Sequence, residues 1–353
     1  MMLAIAVLLL YGPIAFAEHD SSLPVPYEPL PPSTIHGHTN AIVLQNRVVE
    51  AVVFPNLGRI GIFRFRGEQN VFRFDTNLAE RAAAAVQPPA DGEWRNFGGD
   101  WIWPVAQSHW PALFGAPWPP PRMFEEAAWR AHSWVNQDGS QHVLMETEFG
   151  PPLEIRLSRT ISLAPDSATL TVRQRLERIR PSDAPVSLWT ISQIASAHRA
   201  ALAIETNSLF EGGFRVLDFA PPEPALLHRA DPEVLIVDTR HAPELKIGSD
   251  SPRAWIAAQR DDVLVFERAK GRVGAATFPD GGCRTELYSN RGLGYTEIET
   301  LSEEAVLAVG ESIENTLTIS LHRTPLDLED AALAERLRAL AGEPPFRNDS
   351  INP

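Results

Sequence analysis

The sequence predicts an all-β fold, and three observations support this prediction. Short stretches alternate between apolar and polar side chains, as in residues 169–177 and 313–321. Turn-forming segments separate these stretches, for example Gln137-Asp138-Gly139 and Pro279-Asp280-Gly281-Gly282. The chain also contains 31 prolines, which disfavour long helices. Because a period of two is typical of strands with one buried face, we expect a large antiparallel β domain.

The same pattern predicts strands along most of the chain. They are residues 48–54, 59–65, 143–149, 153–161, 169–177, 186–194, 234–237, 255–258, 263–267, 284–288, 295–301 and 313–321. No Ser/Gly-rich linker interrupts this series, so we expect residues 41–323 to form a single domain. The clearest helix spans residues 328–341 and has a narrow apolar stripe, so we expect it to pack on the outside of a sheet. Residues 79–86 form a second, shorter helix candidate.

Charge and cysteine content exclude several classes of protein. The 353 residues include 31 Lys and Arg against 45 Asp and Glu, which gives a formal net charge of -14. The lysines are Lys246 and Lys270, and no basic run occurs, so we expect no nucleic-acid partner and no binding to an anionic membrane surface. The single Cys283 excludes an internal disulfide and a multi-thiolate metal site. Since no phosphate-binding loop, dinucleotide fingerprint or metal-ligand spacing is present, we expect no cofactor and no metal.

The N-terminal segment has the pattern of an export signal. Residues 3–10 are continuously apolar, Tyr11-Gly12-Pro13 ends the run, and Ala15-Phe16-Ala17 supplies the small residues of a signal peptidase site. The alternative is a membrane anchor, but a spanning helix needs about 20 apolar residues. We therefore expect residues 1–17 to be a signal peptide, cleavage near Ala17, and a periplasmic or secreted chain without a stable membrane anchor. We expect a Pro-rich extended leader at residues 18–40 before the domain, and a helix and tail at residues 324–353 after it. We also expect the protein to be a monomer.

A stretch rich in Trp, Gly and Pro lies between residues 94 and 134 and contains seven of the nine tryptophans. Its composition excludes a regular strand or helix over its length and predicts an irregular, packed loop or insertion. Indole rings can cover the C–H faces of a sugar while nearby polar groups bind its hydroxyls, so this loop is a candidate binding segment. The candidate sugar-binding residues in it are Trp101, Trp103, Gln107 and Trp110. The alternative interpretation is a hydrophobic cluster that packs beneath a long loop.

Two carboxylates share one face of the predicted strand 295–301. Glu297 and Glu299 are separated by one residue, so each can raise the pKa of the other and keep a proton acceptor near neutral pH. The alternative is a solvated sheet face that carries no site.

Several segments resemble the galactose-mutarotase-like (aldose 1-epimerase) superfamily, and the likeness spans about residues 41–322. The segments are Phe54-Pro55-Asn56-Leu57-Gly58-Arg59-Ile60-Gly61-Ile62, Gly98-Gly99-Asp100-Trp101-Ile102-Trp103-Pro104, Trp118-Pro119-Pro120-Pro121, Tyr288-Ser289-Asn290, Glu297-Ile298-Glu299-Thr300-Leu301 and Leu307-Ala308-Val309-Gly310-Glu311-Ser312. They look most like an uncharacterised, often secreted bacterial branch of that superfamily. The resemblance implies a β-supersandwich that binds a sugar on a concave sheet.

By the same resemblance, Glu299 would be the base that takes the proton from the anomeric hydroxyl. The family's acid is a histidine in a central strand, but the comparable strand here contains Trp189, Thr190 and Gln193 and no histidine. His109, within the Trp-rich stretch, is the best substitute for that acid. Trp189, Gln193 and Glu297 are the remaining candidate sugar-binding residues.

These observations leave more than one function open. The first is a carbohydrate-active isomerase of the aldose 1-epimerase type, with Glu299 as its general base. The second is a non-catalytic carbohydrate-binding protein on the same fold. A polysaccharide lyase or hydrolase is a third, for which Glu286, Glu297 and Glu299 would supply carboxylates.

Overall fold

The computed structural model describes residues 28–84, 94–217, 219, 221–271 and 277–342. The proposed signal peptide, the first ten residues of the proposed leader and the tail beyond residue 342 lie outside the described residues. The described part of the leader forms short strands at sheet edges, where proline is tolerated. Among the described helices, none combines the length and the apolar character needed to cross a membrane.

Strands make up most of the regular structure. In chain order they are β1 (Glu28–Pro29), β2 (Ser33–Ile35), β3 (His38–Gln45), β4 (Val49–Phe54), β5 (Arg59–Phe65), β6 (Asp100–Trp103), β7 (Arg130–Val135), β8 (Gln141–Phe149), β9 (Ile155–Leu163), β10 (Thr169–Arg178), β11 (Trp189–Ala195), β12 (Arg199–Ala203), β13 (Arg215–Val216), β14 (Leu227–Asp231), β15 (Val234–Val237), β16 (Glu244–Ser249), β17 (Trp255–Arg260), β18 (Val263–Lys270), β19 (Thr285–Asn290), β20 (Tyr295–Leu301) and β21 (Ser312–Arg323). The α-helices are α1 (Thr76–Ala83), α2 (Trp110–Phe114), α3 (Arg122–Glu126) and α4 (Asp330–Leu340). A tight helical turn, Pro279–Gly282, precedes β19.

The strands form two large antiparallel sheets. Within the described residues, one sheet has 11 strands in the order β1-β7-β8-β9-β10-β21-β18-β17-β12-β15-β14. The other has 10 strands in the order β13-β16-β19-β20-β11-β6-β5-β4-β3-β2. This confirms the predicted all-β sandwich with a short C-terminal helix.

The main core lies between the sheets. Leu170, Val172 and Leu176 of β10 are fully buried, and so is Ile298 of β20, as the alternation along these strands requires. The C-terminal helix α4 covers the other side of the 11-stranded sheet, where Leu333 and Leu337 join a separate cluster with Trp255 and Phe266. The predicted packing of this helix outside the sheet is confirmed.

Two polar contacts between the sheets show which side chains point into the space between the sheets. The Arg159 guanidinium of β9 is 2.5 Å from the Asp100 carboxylate of β6. The Thr190 hydroxyl of β11 donates to Gln174 of β10 at 3.0 Å. Because neighbouring residues on a strand point to opposite faces, Trp101, Trp189 and the other odd-numbered residues of β6 and β11 point away from the 11-stranded sheet. We call this side of the ten-stranded sheet the outer face.

The Trp-rich stretch is more regular than its composition indicates. It contains β6, which pairs with β5 and β11 in the interior of the ten-stranded sheet, and then the short helices α2 and α3. Gly98 and Gly99 allow the chain to enter β6, because both have positive φ angles. A Cβ atom at Gly98 would also overlap the Arg73 carbonyl oxygen. The prediction of an irregular loop was therefore wrong for residues 100–103.

Candidate active site

The pairing of β20 with its two neighbours collects polar side chains on the outer face. Glu297 lies opposite Gln193 of β11 and Tyr288 of β19. Glu299 lies opposite Ile191 of β11 and Glu286 of β19. Residues directly opposite each other in an antiparallel pair share a face, so these side chains form one group.

Glu299 lies at the centre of this group and is 1% exposed. The Trp189 indole Nε1 donates a hydrogen bond to Glu299 Oε2 at 2.6 Å. The Lys246 Nζ of β16 is 3.4 Å from the same oxygen and 3.0 Å from Glu286 Oε2. The ammonium also lies 4.7 Å from the centroid of the Trp189 ring. One lysine therefore compensates two buried carboxylates, and the indole fixes the orientation of one of them.

Burial and charge act in opposite directions on these groups. Burial raises the pKa of the Glu299 carboxyl, while the Lys246 charge and the Trp189 hydrogen bond oppose that rise. Burial also raises the pKa of Glu286 well above its ordinary value, against the same lysine charge. Burial alone would lower the pKa of Lys246, but the charges of Glu286 and Glu299 outweigh it and raise that pKa. The lysine therefore stays protonated at neutral pH.

Glu297 has a different environment. The Gln193 Nε2 donates to Glu297 Oε1 at 2.7 Å, and no lysine or arginine forms an ion pair with Glu297 among the described contacts. Burial, and next the charge of Glu299, raise the pKa of Glu297 to about 8. Glu297 is therefore mostly protonated at neutral pH. The fully buried Gln193 also has its Oε1 without a hydrogen-bond partner among the described protein atoms.

Aromatic rings lie next to Glu297 on the outer face. The Tyr288 ring centroid is 6.0 Å from that of Tyr295 and 5.7 Å from that of Phe219, which is 38% exposed. The Tyr288 hydroxyl donates to Glu244 at 2.8 Å. Apolar ring faces beside hydrogen-bonding groups suit the C–H faces and hydroxyls of a sugar. Glu299 is covered and Glu297 is only partly buried, so Glu297 is the more accessible of the two carboxyls.

The other predicted tryptophans form a packed cluster rather than an open platform. The Trp103 ring centroid lies 6.1 Å from that of Trp101, 4.9 Å from that of Trp110 and 6.1 Å from that of Trp189. All four rings belong to buried residues. Trp103 Nε1 donates at 3.0 Å to Glu125 of α3, which pairs with the buried Arg59 at 2.7 Å. Trp189 connects this cluster to Glu299, and the cluster supports the outer face from the side of β6.

Gln107 and His109 lie on the segment between β6 and α2, and neither has a described hydrogen bond to Glu297 or Glu299. The His109 Nε2 is 2.9 Å from Glu304 Oε2, and the Gln107 side chain donates at 3.5 Å to the Pro117 carbonyl. Their described hydrogen bonds therefore go to residues other than Glu299. The structure brings Glu299, Trp189, Glu297 and Gln193 together, but it does not place His109 beside Glu299 to act as the acid.

Lys246 belongs to this group but was not among the residues predicted from the sequence, and Glu286 was considered only for a lyase or hydrolase. The signal was present, because Leu245 and Ile247 alternate with Glu244 and Lys246 in the manner of a strand. In the part of the chain that the structure describes, no three His, Cys, Asp or Glu side chains are grouped so that they could hold a metal ion.

Comparison with solved structures identifies the fold. The chain superimposes on a protein from Synechocystis sp. PCC 6803 with a TM-score of 0.54 and 12% identity, over 83% of this chain and 98% of that one. A galactose mutarotase-like protein from Clostridium acetobutylicum gives a TM-score of 0.52 and 10% identity over 85% and 99%. Another galactose mutarotase-like protein, from Lactobacillus casei, gives a TM-score of 0.50 and 10% identity over 80% of this chain and 100% of that one.

The fold is therefore the galactose mutarotase-like β-supersandwich, as the motifs in the sequence predicted. At these identities the comparison establishes the architecture alone. No protein-family model matches the chain, and no curated protein matches it significantly in sequence.

Proposed function

We propose that this chain binds a sugar on the outer face of the ten-stranded sheet and interconverts its anomers, with Glu299 as the general base. The observation that carries the proposal is the buried Glu299 carboxylate, oriented by Trp189 Nε1 at 2.6 Å and accompanied by the Lys246 ammonium. A general base needs a fixed position and a pKa between its ordinary value and neutral pH, and burial moves the pKa of Glu299 in that direction. The proteins that share this fold include galactose mutarotase-like proteins, which agrees with this chemistry.

The charges on the outer face favour an uncharged sugar. Lys246 and Arg73 lie near the carboxyls of Glu286, Glu297 and Glu299, of which Glu297 is mostly protonated at neutral pH, and Glu244 lies at the rim. A phosphate or carboxylate on the ligand would lie close to the carboxylates of Glu299 and Glu244 and would be repelled. We therefore propose a neutral hexose or pentose, or the reducing end of a neutral oligosaccharide, as the ligand.

We also propose that the chain acts outside the cytoplasm. The support is the apolar run at residues 3–10 followed by Ala15-Phe16-Ala17. Intact mass measurement of the protein recovered from a bacterial periplasm tests this proposal. A mature chain that begins at Glu18 is expected, and an unprocessed chain retained in the cytoplasm would contradict it.

The catalytic proposal is tested by the rate at which freshly dissolved α-sugars reach anomeric equilibrium. We expect the purified protein to accelerate this exchange for at least one neutral sugar in a broad panel, measured by proton NMR. Glu299→Gln keeps the shape of the side chain but removes the base, so we expect a loss of roughly 100- to 10,000-fold in kcat. Glu148→Gln, on the exposed surface of β8, is the matched control and should keep full activity. Exchange at the buffer rate across the whole panel would refute the isomerase.

A carbohydrate-binding protein without catalysis is the second candidate, and one observation favours it. Glu299 is 1% exposed, so a bound sugar could rest on the aromatic rings near Glu297 without contacting the Glu299 carboxylate. This candidate predicts that a sugar changes tryptophan fluorescence while anomer exchange stays at the buffer rate. It also predicts that Glu299→Gln leaves sugar affinity nearly unchanged. Anomer exchange that the wild-type protein accelerates and Glu299→Gln does not would favour the isomerase.

A further inference from the structure

We propose that Glu297 is the proton donor that works with Glu299, so that both catalytic groups come from the single strand β20. This inference rests on the proposed function, because it assigns the second half of the same acid–base reaction. The two residues are at positions i and i+2 and point to the same outer face. Such residues have Cα atoms about 6.6 Å apart, which allows their carboxyl groups to reach two oxygens bonded to one sugar carbon.

The contacts of the two carboxyls differ in the way that an acid and a base require. Glu299 Oε2 receives the Trp189 N–H at 2.6 Å and lies 3.4 Å from the Lys246 ammonium, and both contacts stabilise the ionised form. Glu297 Oε1 receives only the neutral amide of Gln193 at 2.7 Å, and the described contacts leave Oε2 free to carry a proton. Neighbouring carboxyls in unlike environments are a recurrent way of separating the acid from the base.

Exposure also separates the two groups. Glu297 is partly exposed, whereas Glu299 is 1% exposed. A donor that must recover its proton between turnovers benefits from contact with solvent. A proton on Glu297 also removes the repulsion between two adjacent carboxylates, so one proton stabilises the pair in the resting protein.

The reaction balances with these two groups alone. The Glu299 carboxylate removes the proton from the anomeric hydroxyl O1, a C1=O1 carbonyl forms, the bond between C1 and the ring oxygen breaks, and Glu297 gives its proton to that oxygen. Rotation about C1–C2 presents the other carbonyl face. The ring oxygen then attacks C1 and returns its proton to Glu297, while O1 takes the proton from Glu299. No oxidant, reductant or metal takes part in this sequence.

Other titratable groups share the outer face and set the pH range of the pair. They are Glu286 and Tyr288 from β19, Lys246 and Glu244 from β16, Tyr295 and Glu299 from β20, and Arg73 from the segment before α1. The charges of Lys246 and Arg73 oppose the rise in the pKa of Glu297, but burial and Glu299 prevail and bring that pKa to about 8. Activity that depends on a protonated Glu297 should therefore fall above about pH 8.

The test compares pH profiles of kcat/KM for the wild-type chain, Glu297→Gln and Glu148→Gln. We expect Glu297→Gln to lower kcat by roughly 100- to 10,000-fold, to change sugar affinity little, and to lose the alkaline decline present in the wild type and in the Glu148→Gln control. Circular dichroism and thermal unfolding show whether each variant folds. The ¹³C chemical shift of the Glu297 carboxyl, assigned by comparison with Glu297→Gln, reports its protonation without reference to activity.

The outcomes separate this inference from the proposed function. An active wild-type protein whose Glu297→Gln variant keeps its kcat and its alkaline decline refutes the donor role and leaves the isomerase standing. A Glu297 carboxyl that is ionised at pH 6.5 likewise overturns the donor role. A wild-type protein that never accelerates anomer exchange refutes the isomerase, and the donor role with it. If Lys246 supplies the proton instead, Lys246→Gln removes the alkaline decline and Glu297→Gln retains it, which also overturns the inference.

Discussion

Removal of the Lys246 ammonium should destabilise the protein in a strongly pH-dependent way. Its side chain is 11% exposed and lies between the carboxylates of Glu286 and Glu299, whose side chains are 0% and 2% exposed. Lys246→Met keeps the length and apolar stem of the side chain but removes the charge. Removing one partner from a buried ion pair leaves an uncompensated charge and costs about 3–5 kcal/mol. We expect a loss of this size in the free energy of unfolding at pH 8.

The sign of the pH dependence follows from the two carboxyls. Their pKa values already lie above the ordinary value of 4.5, and loss of the lysine raises them further. A carboxyl with a raised pKa in the folded state stabilises the fold below its ordinary pKa, and this contribution is lost as the pH rises through the folded value. The variant should therefore be close to the wild type at pH 5 and much less stable at pH 8.

Urea unfolding at these two pH values measures the difference. The other lysine of the chain, Lys270, is exposed at the end of β18 and provides the matched control. Lys270→Met should change the free energy of unfolding by no more than about 0.5 kcal/mol at either pH. The double variant Lys246→Met/Glu286→Gln should recover part of the loss, because one of the two uncompensated carboxylates is gone. If Lys246→Met and Lys270→Met unfold alike at pH 8, the ion cluster does not exist as described.

Two further predictions concern the interior and the entry to β6. Glu267 is fully buried. Burial, and next the charge of Asp100, raise its pKa well above 4.5, although the Ser192 hydroxyl and the charge of Arg159 oppose the rise. Glu267→Gln should therefore stabilise the fold, and the gain should grow as the pH rises. We expect the free energy of unfolding in urea to increase by about 1–3 kcal/mol at pH 8. An equal gain at pH 5 and pH 8 would contradict this prediction. Gly98→Ala should lower the melting temperature more than Gly67→Ala, because both glycines have positive φ but only Gly98 faces a backbone carbonyl. Equal shifts for the two variants would show that the contact with Arg73 does not matter.

Local sequence pattern predicted the strands that alternate strongly. The bounds of β5, β15 and β20 agree with the predicted ranges, because these strands are rich in β-branched or aromatic residues and end at clear turns. The strand β12 was missed because its sequence, Arg199–Ala203, contains three alanines, which favour helix. The strand β6 was missed because its four residues follow two glycines and precede a proline. In both cases tertiary pairing with neighbouring strands outweighs the local preference.

The site was predictable only where the sequence resemblance supplied the register. Alternation placed Glu297 and Glu299 on one face of β20, but it does not show that β11, about 100 residues earlier, lies beside this strand. Lys246 belongs to β16, which pairs with β19 and not with β20, so its contact with Glu299 crosses an intervening strand. Such a contact depends on sheet order, which a single sequence leaves open. His109 was chosen for its chemistry alone, and the fold pairs it with Glu304 instead.

The absence of a histidine from β11 has a structural consequence on the neighbouring strand. Gln193 cannot exchange a proton near neutral pH, but its amide donates to Glu297 Oε1 at 2.7 Å and fixes that carboxyl beside Glu299. A histidine donating to the same oxygen would be cationic while Glu297 is ionised, and it would lower the pKa of Glu297. The neutral amide leaves burial and the charge of Glu299 as the dominant influences, and these keep the proton on Glu297. In the proposed mechanism, Gln193 lowers the pKa of Glu297 less than a cationic histidine would, so this second carboxyl on β20 can serve as the acid.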